Sequence, residues 1–439
     1  MGSLSRWSRP EAFDIAAAGH LLGRAGYGVR SDRLEEAVRE GLDRTVERVL
    51  SGEKPGEMFR ETFRETDALL KTSALEADSI DSLKAWWAFR LTESPHPLEE
   101  RMTLMWHDHF ATSYQKVQSV RMMADQNRLF RREALGRFDR LLLDVARDPA
   151  MLVWLDSNLN RKRQPNENFS RELFELFGLG LGNYTEKDIQ EAARAFSGWH
   201  VRHGRYWFNE AQCDRGSKQV LGKTGAFDGE DVIRVTLEQP ACSRLIARRL
   251  LEEFVAPGPK PEQVEELAGR LKHHRWQLRP VLGELFRSEL FFAERSRGAR
   301  IKSPIELVVG TFRQLGGTAA YSSMVELTAQ LGQDLFQPPS VKGWDGDRGW
   351  LNTASMILRL NFASEVTGGR GLGRLGEGAA REMKSAARVD GLTRSIVRRP
   401  LIASTRGKII REVEAAAGAD RQRRVAWHMV VSLPEYQLG

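Results

Sequence analysis

The stretch QPNENFSRELFELFGLG, residues 164–180, places its apolar residues at the spacing of an amphipathic helix. At about 100° per residue, the phenylalanines and leucines fall on one side of such a helix. The polar side chains share the other side: Glu167, Asn168, Arg171, Glu172 and Glu175. Asn166, which follows Pro165, has the short polar side chain typical of an N-cap. We therefore predict a two-faced helix over residues 167–177.

The same helical spacing recurs along almost the whole chain, and the alternation typical of strands is scarce. Two helix starts carry recognisable signals, since Asp148 precedes Pro149 and Ser303 opens a capping box that ends at Glu306. The other segments predicted to be helical are 11–25, 31–50, 57–76, 80–93, 98–111, 117–134, 137–147, 185–197, 240–254, 261–272, 277–287, 304–315, 322–333, 352–366, 405–416 and 420–432. We therefore predict a mainly α fold built as a large multi-helix domain.

Two stretches depart from the helical pattern. Residues 199–236 contain WHVRHGRYWFN and, after a polar turn, DVIRVTL, which together predict a small hairpin or irregular excursion. Residues 367–379 (TGGRGLGRLGEGA) are rich in glycine and predict a linker or surface loop. The chain is thus expected to form a main helical domain over 1–366, this linker, and a helical C-terminal extension over 380–439 that packs on the main domain.

The composition is that of a folded globular protein: of 439 residues, 41% are hydrophobic and 28% charged, and the formal net charge is +7. Basic residues outnumber acidic ones over 361–439, but no nucleic-acid motif accompanies them, so we do not expect nucleic-acid binding. Cys213 and Cys242 are too few for a cysteine-ligated zinc site. The sequence has no apolar run of about 18 residues, so no membrane span is expected. The start of the chain also lacks the apolar stretch of a signal peptide.

The polar side of the predicted helix over 167–177 has two interpretations. A solvated surface is one of them, with Arg171 paired to the glutamates four residues away on either side. The arc contains amides and carboxylates but no lysine, however, and carboxylates beside an arginine can serve as acid and base. The candidate catalytic residues are Glu167, Asn168, Arg171 and Glu172.

A pair of histidines in RMTLMWHDHFATSYQ, residues 101–115, suggests a metal site. His107 and His109 would lie about 200° apart on a regular helix, so they can share an ion only if the helix ends near Trp106. Imidazoles and carboxylates are suitable ligands for zinc, iron or manganese. One hypothesis is therefore a single divalent metal held by His107, His109 and Glu175. The alternative is that both histidines are core residues.

The segment FQPPSVKGWDGDRGWLNTASMILRLN, residues 336–361, presents Trp344 and Trp350 beside two aspartates, Asp345 and Asp347. Indole faces stack on sugar rings or bases, and carboxylates bind hydroxyls, so this segment is a candidate binding surface. Burial of both indoles in a helical core is the alternative, and it is the one that the size of tryptophan favours.

The segment CDRGSKQVLGKTG, residues 213–225, is a second candidate for binding. Its Arg215 and Lys218 are able to face an anion if the loop is open. A plain surface turn is the more typical structure for such a polar, glycine-containing stretch.

A series of these segments resembles an uncharacterised bacterial family catalogued as domain of unknown function 1800. The matching segments are HLLGRAGYG (20–28), RMTLMWHDHFATS (101–113), LDSNLNRKRQPNENFSRELFELFGLGLGNYTEKDIQEAARAFSGW (155–199), DRGSKQVLG (214–222), KSPIELVVG (302–310), PPSVKGWDGDRGWLNT (338–353) and SLPEYQ (432–437). The resemblance therefore extends over essentially the whole chain.

The resemblance implies a predominantly helical protein that is often exported and that commonly has a sulfatase-like partner. We therefore expect work outside the cytoplasm, on envelope or exported material, with an exported or periplasmic location. This chain departs from the family in lacking an export signal and in having Cys213 where the family is expected to show histidine. The second departure weakens a metal role for this loop and leaves Asp214 and Lys218 as its candidate binding residues.

The sequence leaves two functions open. The first, slightly favoured, is an enzyme, a hydrolase or transferase with a pocket of His, Glu, Asn and Arg side chains, dependent on a divalent metal. The second is a binding or scaffold protein for glycan or protein partners, in which the carboxylate helix only stabilises the fold.

Overall fold

The computed structural model describes residues 3–8, 13–369, 371–375 and 384–439. Within these residues the fold is mainly α, as predicted, and contains 23 α-helices. The helices of the first part of the chain are α1 Ile15–Gly26, α2 Ser31–Glu40, α3 Leu42–Ser51, α4 Glu57–Glu76, α5 Ile80–Glu93, α6 Pro97–His109, α7 Tyr114–Val117, α8 Val120–Glu133, α9 Phe138–Ala146, α10 Pro149–Trp154, α11 Asn168–Glu172 and α12 Glu186–Ala195.

The remaining helices are α13 Gly229–Glu238, α14 Pro240–Phe254, α15 Pro261–His273, α16 Leu278–Leu285, α17 Glu289–Phe292, α18 Pro304–Leu315, α19 Tyr321–Gln330, α20 Thr353–Gly368, α21 Ser385–Leu392, α22 Ala403–Ala415 and α23 Ala419–Val431. Three antiparallel strand pairs accompany them: β1 Trp199–Arg202 with β2 Arg205–Phe208, β3 Lys218–Val220 with β4 Lys223–Gly225, and β5 Gly317–Ala319 with β6 Gly373–Leu375.

Of the three predicted helix starts, those at Asp148 and Ser303 are confirmed. The N-cap predicted at Asn166 is wrong, because the residue before α11 is Glu167, although the Asn166 side chain does accept from the Asn168 N–H at 3.0 Å. The Asp148 carboxylate accepts a hydrogen bond from the Met151 N–H at 2.9 Å, and Pro149 is the first residue of α10. At the start of α18, the Ser303 hydroxyl accepts from the Glu306 N–H at 3.1 Å, and the Glu306 carboxylate accepts from the Ser303 N–H at 2.8 Å. This capping box fixes the position of the Glu306 side chain at the start of α18.

The helix predicted over 167–177 is present but is not regular. Residues Asn168–Glu172 are α-helical, and Leu173–Gly178 continue as a π-helix. A π-helix has more residues per turn than an α-helix, so Glu175 does not lie where a wheel of about 100° per residue places it. The predicted helix over 31–50 is likewise two helices, which meet at Gly41 with a φ of 79°.

The excursion over 199–236 is only partly as predicted. WHVRHGRYWFN forms the hairpin of β1 and β2, but DVIRVTL is not a strand, because it lies in α13. Asp228 caps this helix in a reciprocal pair with Asp231, and Val232, Ile233 and Val235 are buried on one side. The cap and the burial of apolar residues at helical spacing outweigh the strand preference of the β-branched residues.

The glycine-rich stretch 367–379 lies only partly within the described residues, because 370 and 376–379 fall outside them. Its described part includes β6, which pairs with β5, where a linker or loop was predicted. The division of the chain at 366 and 380 stays a prediction.

Two clusters of buried apolar side chains form the interior of the described chain, and α6 contributes to both. Met102, Met105 and Trp106 belong to one cluster, while Leu104 belongs to the other. The second cluster also contains Trp344, which lies in the segment between α19 and α20, hereafter the tryptophan-bearing loop. Helix α6 thus lies where the two interiors meet. Among the described helices, none is both long enough and apolar enough to span a membrane.

Candidate functional site

The polar residues of the opening stretch form ion pairs at the surface. Arg171 donates two hydrogen bonds to Glu186, at 3.0 and 2.8 Å, and one to Glu167 at 3.1 Å. The side chains of Arg171 and Glu167 are each 36% exposed. Ion pairs with this exposure contribute little to stability, about 0–1 kcal/mol. Arg171 therefore has the contacts of a solvated surface residue.

The other three polar residues of that stretch are dispersed. The Asn168 amide donates to Asp156 at 3.3 Å, and Glu175 accepts from the Tyr184 hydroxyl at 3.3 Å. Glu172 is half-buried, and burial together with the neighbouring charge of Glu175 raises its pKa. Among the candidate catalytic residues, Glu172 is therefore the one whose half-burial suits acid–base chemistry.

The two histidines of α6 point into different environments. Helix α6 continues to His109, so the two side chains remain separated as on a regular helix. His107 is buried among the rings of Trp87, Phe336 and Trp344, with ring centroids 5.5, 5.7 and 5.5 Å away. Burial lowers its pKa to about 3, and its Nε2 has no hydrogen-bond partner among the described residues.

His109 is engaged elsewhere. Its Nε2 lies 3.0 Å from the carbonyl oxygen of Phe177, so this nitrogen carries the proton and donates. Burial, with a smaller contribution from Arg249, lowers its pKa to about 3. In the described part of the chain, no three His, Cys, Asp or Glu side chains are grouped to hold a metal ion. His107, His109 and Glu175 are therefore not brought together as a ligand set.

The candidate loop at 213–225 is closed by its own contacts. The Lys218 ammonium donates to the carbonyl oxygens of Asp214 and Gly216, at 2.6 and 2.9 Å, and its side chain is fully buried. The Asp214 carboxylate accepts from Arg194 at 2.9 Å. Neither Asp214 nor Lys218 faces an open space, because each side chain is hydrogen-bonded within the loop or to Arg194 on α12.

A cavity of about 250 Å³ lies beside α6 and is hereafter called the α6 cavity. Its principal lining residues are Tyr27, Asp108, Arg249, Glu252, Trp344 and Trp350. Four of the segments that carry the family resemblance contribute to its walls: 20–28, 101–113, 302–310 and 338–353. Segments far apart in the chain therefore converge on one concave site.

Asp108 fixes the tryptophan-bearing loop to α6 and α14. One carboxylate oxygen accepts from Arg249 at 2.7 Å, and the other accepts from the Trp344 N–H at 2.8 Å. Gly343 has a φ of 87°, and a Cβ at this position would lie 2.3 Å from the Asp108 carboxylate. Only glycine permits this close approach, so the loop is built to bring Trp344 against Asp108.

A buried ion network forms the floor of the α6 cavity. Arg101, nearly inaccessible to solvent, lies 2.7 Å from Glu253 and 2.5 Å from Glu306. Arg300 lies 3.6 Å from the other oxygen of each glutamate. Burial alone would raise the pKa of Glu306, but the two guanidinium groups hold it well below its usual range. The network is charge-balanced, since each of the two glutamates faces the same two arginines.

The Glu252 carboxyl group and the Tyr27 hydroxyl at the α6 cavity have no partner among the described residues. Glu252, which is half-buried, makes no hydrogen bond or ion pair to any described residue, and burial raises its pKa against the opposing effect of nearby arginines. The Tyr27 hydroxyl is buried and likewise finds no hydrogen-bond partner in the described chain. Leaving a buried hydroxyl unpaired costs about 1–3 kcal/mol. A bound ligand or water that accepts from Tyr27 would remove this cost.

The α6 cavity combines an aromatic wall with two carboxylates, Glu252 and Asp347, that form no ion pair to the described residues. Trp344 and Trp350 are both largely buried, as favoured from the sequence, yet each still lines the cavity. Asp347, also at the cavity, accepts a hydrogen bond from the Ile301 N–H at 3.1 Å. Such a site can stack a ring, bind its polar groups, and transfer a proton through a carboxyl group with a raised pKa.

The sequence pointed to part of this site, the segment with Trp344, Trp350 and Asp347, and missed the residues that face it. Asp108 and Tyr27 lie within matching segments but were not candidates. Glu252 was missed because a pair of glutamates near a helix end is typical of a solvated surface. The one available signal was the density of family-matching segments around the α6 cavity.

A family model described as protein of unknown function (DUF1800) matches residues 20–438. Comparison with the curated proteins and with the solved structures gives no match. Since the family match covers nearly the whole chain, the protein belongs to the DUF1800 family.

Proposed function

We propose that the α6 cavity binds a small hydroxyl-bearing molecule with a positively charged amino group, and that Glu252 transfers a proton to or from it. The observation that carries this proposal is the unpaired Glu252 carboxyl group in a cavity walled by Trp344 and Trp350. A titratable group with a shifted pKa in a concave site is a recognised indication of function.

The charges at the cavity support a cationic ligand. Arg101 and Arg300 balance Glu253 and Glu306, and Arg249 balances Asp108. Two carboxylates at the cavity, Glu252 and Asp347, form no ion pair within the described residues. An ammonium group would compensate them, and indole faces attract cations as well.

The size and polarity of the cavity support a small ligand with hydroxyl groups. A volume of about 250 Å³ is just below the range of about 300–1,000 Å³ that is usual for small-molecule sites, so the ligand must be small. The Tyr27 hydroxyl can donate to a ligand oxygen, and the carboxylates can accept from ligand hydroxyls. An amino sugar has the ring, the hydroxyls and the cationic group that this arrangement fits.

Glu252 is suited to acid–base chemistry rather than to fold stability. Its raised pKa makes the protonated carboxyl group more accessible than in an exposed glutamate, whereas Glu306 nearby remains ionised. Acid–base catalysis of this kind contributes typically about 10²–10⁴-fold in rate.

The binding part of the proposal is tested by calorimetric titration of the full chain with glucosamine, glucose and glucuronate. We expect glucosamine to bind most tightly and glucuronate least, because only the first compensates the unpaired carboxylates. Replacing Glu252 by glutamine should lower glucosamine affinity about tenfold or more and leave glucose affinity unchanged. Glu262→Gln, at an exposed position on α15, is the matched control and should change neither.

The catalytic part is tested by release of 4-nitrophenol from 4-nitrophenyl glucosaminide. Glu252→Gln should reduce the release rate about 10²–10⁴-fold while the Glu262→Gln control retains it. If the parent protein and the Glu262→Gln control both bind glucosamine but release no 4-nitrophenol, the result would support a non-catalytic binding protein instead. Equal binding of all three sugars, or of none, would contradict the charge argument.

The context implied by the family resemblance is part of the proposal. We propose that the ligand belongs to envelope or exported material and that a sulfatase-like protein acts with this one. The proposal contains no metal-dependent step, since the histidines of α6 are directed to separate environments. Co-purification of a sulfatase-like protein from the native source, with the tagged full chain as bait, tests the partner.

A further inference from the structure

The hairpin of β1 and β2 presents a cationic outer face that the α6 cavity does not involve. Arg202 and Arg205 are directly opposite each other in the strand register, and both are exposed. His203 and Gly204, with φ values of 51° and 71°, form the two-residue turn between them. Positive φ at both turn positions is typical of tight hairpins, so the two arginines are held side by side.

A second cationic turn lies beside this face. The His200 Nε2 lies 3.0 Å from the carbonyl oxygen of Asn160, and the Val201 N–H donates to Asn158 at 2.7 Å. These contacts fix residues 158–160 against β1. Arg161 and Gln164 then exchange two backbone hydrogen bonds, which places Lys162 and Arg163 at the exposed tip of the turn.

The charges of this surface are not compensated by acidic side chains of the described residues. No ion pair to the described residues is made by its five cations: Arg161, Lys162, Arg163, Arg202 and Arg205. By contrast, Arg194 and Arg215, on adjoining segments, each pair with an acidic side chain. Like charges directly opposite each other across two strands destabilise a hairpin. An anionic partner outside the chain would remove this repulsion.

Apolar side chains are exposed among these cations. Leu159 is 58% exposed and Trp207 is 38% exposed. Trp207 shares the outer face of the hairpin with Arg202, whose guanidinium lies 5.3 Å from the indole ring centroid. A surface that mixes exposed tryptophan and leucine with several basic residues has the composition of an interfacial membrane contact.

We propose that this surface, hereafter the hairpin surface, docks on an anionic lipid bilayer. The cations bind lipid phosphates, and Leu159 and Trp207 enter the interface between headgroups and acyl chains. A nucleic-acid strand would need successive aromatic rings for its bases. On the outer face of this hairpin Trp207 is already covered in part by Arg202, and the exposed Leu159 offers nothing to a base.

The test is co-sedimentation of the full chain with vesicles of equimolar phosphatidylglycerol and phosphatidylcholine. Binding should weaken as salt rises, and vesicles of phosphatidylcholine alone should bind weakly. The double variant R202E/R205E should lose about 30-fold or more in affinity, since each cation near an anionic surface contributes about a factor of five. The control R411E/R421E changes two exposed arginines on α22 and α23 by the same total charge and should bind as the parent does.

A second pair of variants separates lipid insertion from charge. Leu159→Ala and Trp207→Ala should weaken vesicle binding while leaving its dependence on salt unchanged. Equal loss in R202E/R205E and R411E/R421E would overturn the assignment, because binding would then follow net charge alone. Tighter binding to a thymidine oligonucleotide than to the anionic vesicles would also overturn it. Far-ultraviolet circular dichroism of every variant verifies that the hairpin substitutions leave the helical fold intact.

Discussion

Glu100→Gln is expected to lower the free energy of unfolding by about 3–5 kcal/mol, because it leaves the buried Arg131 without a compensating charge and leaves Arg90 with Asp67 alone. Glu100 is fully buried and accepts hydrogen bonds from Arg90 at 2.8 Å and from Arg131 at 2.7 and 2.9 Å. The Trp87 indole N–H approaches it at 3.3 Å. Urea unfolding monitored by circular dichroism measures the loss.

Glu167→Gln is the matched control for this substitution. This substitution also removes the charge of a glutamate that pairs with an arginine. The Glu167 side chain is 36% exposed, however, and its partner Arg171 lies four residues further along the chain. The expected loss is at most about 0.5 kcal/mol. If the two variants lose similar amounts of unfolding free energy, the buried ion pairs of Glu100 stabilise the fold no more than a surface ion pair does.

The Glu100 network should also appear in the acid stability of the protein. Although burial alone would raise the pKa of Glu100, Arg131 and Arg90 lower this pKa from 4.5 to about 2. A depressed pKa stabilises the folded state above the unfolded value, and this contribution is lost as pH falls from 4.5 towards 2. The difference corresponds to about 3 kcal/mol. The unfolding free energy of Glu100→Gln should therefore fall less steeply over this pH range than that of the parent protein.

Gly343→Ala is expected to displace the tryptophan-bearing loop and to abolish detectable glucosamine binding. The added Cβ would meet the Asp108 carboxylate at 2.3 Å and its backbone oxygen at 2.6 Å. The positive φ of Gly343 would add about 1–2 kcal/mol of strain for any other residue. Calorimetric titration and urea unfolding measure the two effects.

Gly346→Ala, in the same loop, serves as the control for stability. No atom of the described residues lies within 4 Å of a Cβ built at Gly346, and its φ of −80° is open to any residue. This variant should unfold like the parent protein. Retention of loop structure and glucosamine binding in Gly343→Ala would show that the contact with Asp108 does not position Trp344.

Periodicity and cap chemistry were sufficient for most of the helices, because each of these signals acts within one turn of chain. They failed where tertiary packing decides the conformation. The π-helical turn after Glu172 has no marker among its leucines and phenylalanines, and α13 contains residues that locally prefer strands. Boundaries set by a single glycine, such as Gly41, were also missed.

The candidate site was less predictable than the fold. A wheel shows which side chains share a helix face, but it cannot show which distant segment covers that face. Thus Arg171 was judged against its own helix, whereas its strongest contacts are with Glu186 on α12. The α6 cavity depends on pairings such as Asp108 with Arg249 and Arg101 with Glu306, which join residues more than a hundred positions apart.

The placement of α6 between two interiors has a consequence for how the protein opens. Because its side chains complete both apolar clusters, α6 cannot fray without exposing each of them to water. Its amide protons should then exchange with deuterated solvent only through global unfolding, whereas those of the mostly exposed α4 should exchange by local fluctuation. We therefore expect the two apolar clusters that share α6 to unfold together, as one cooperative unit.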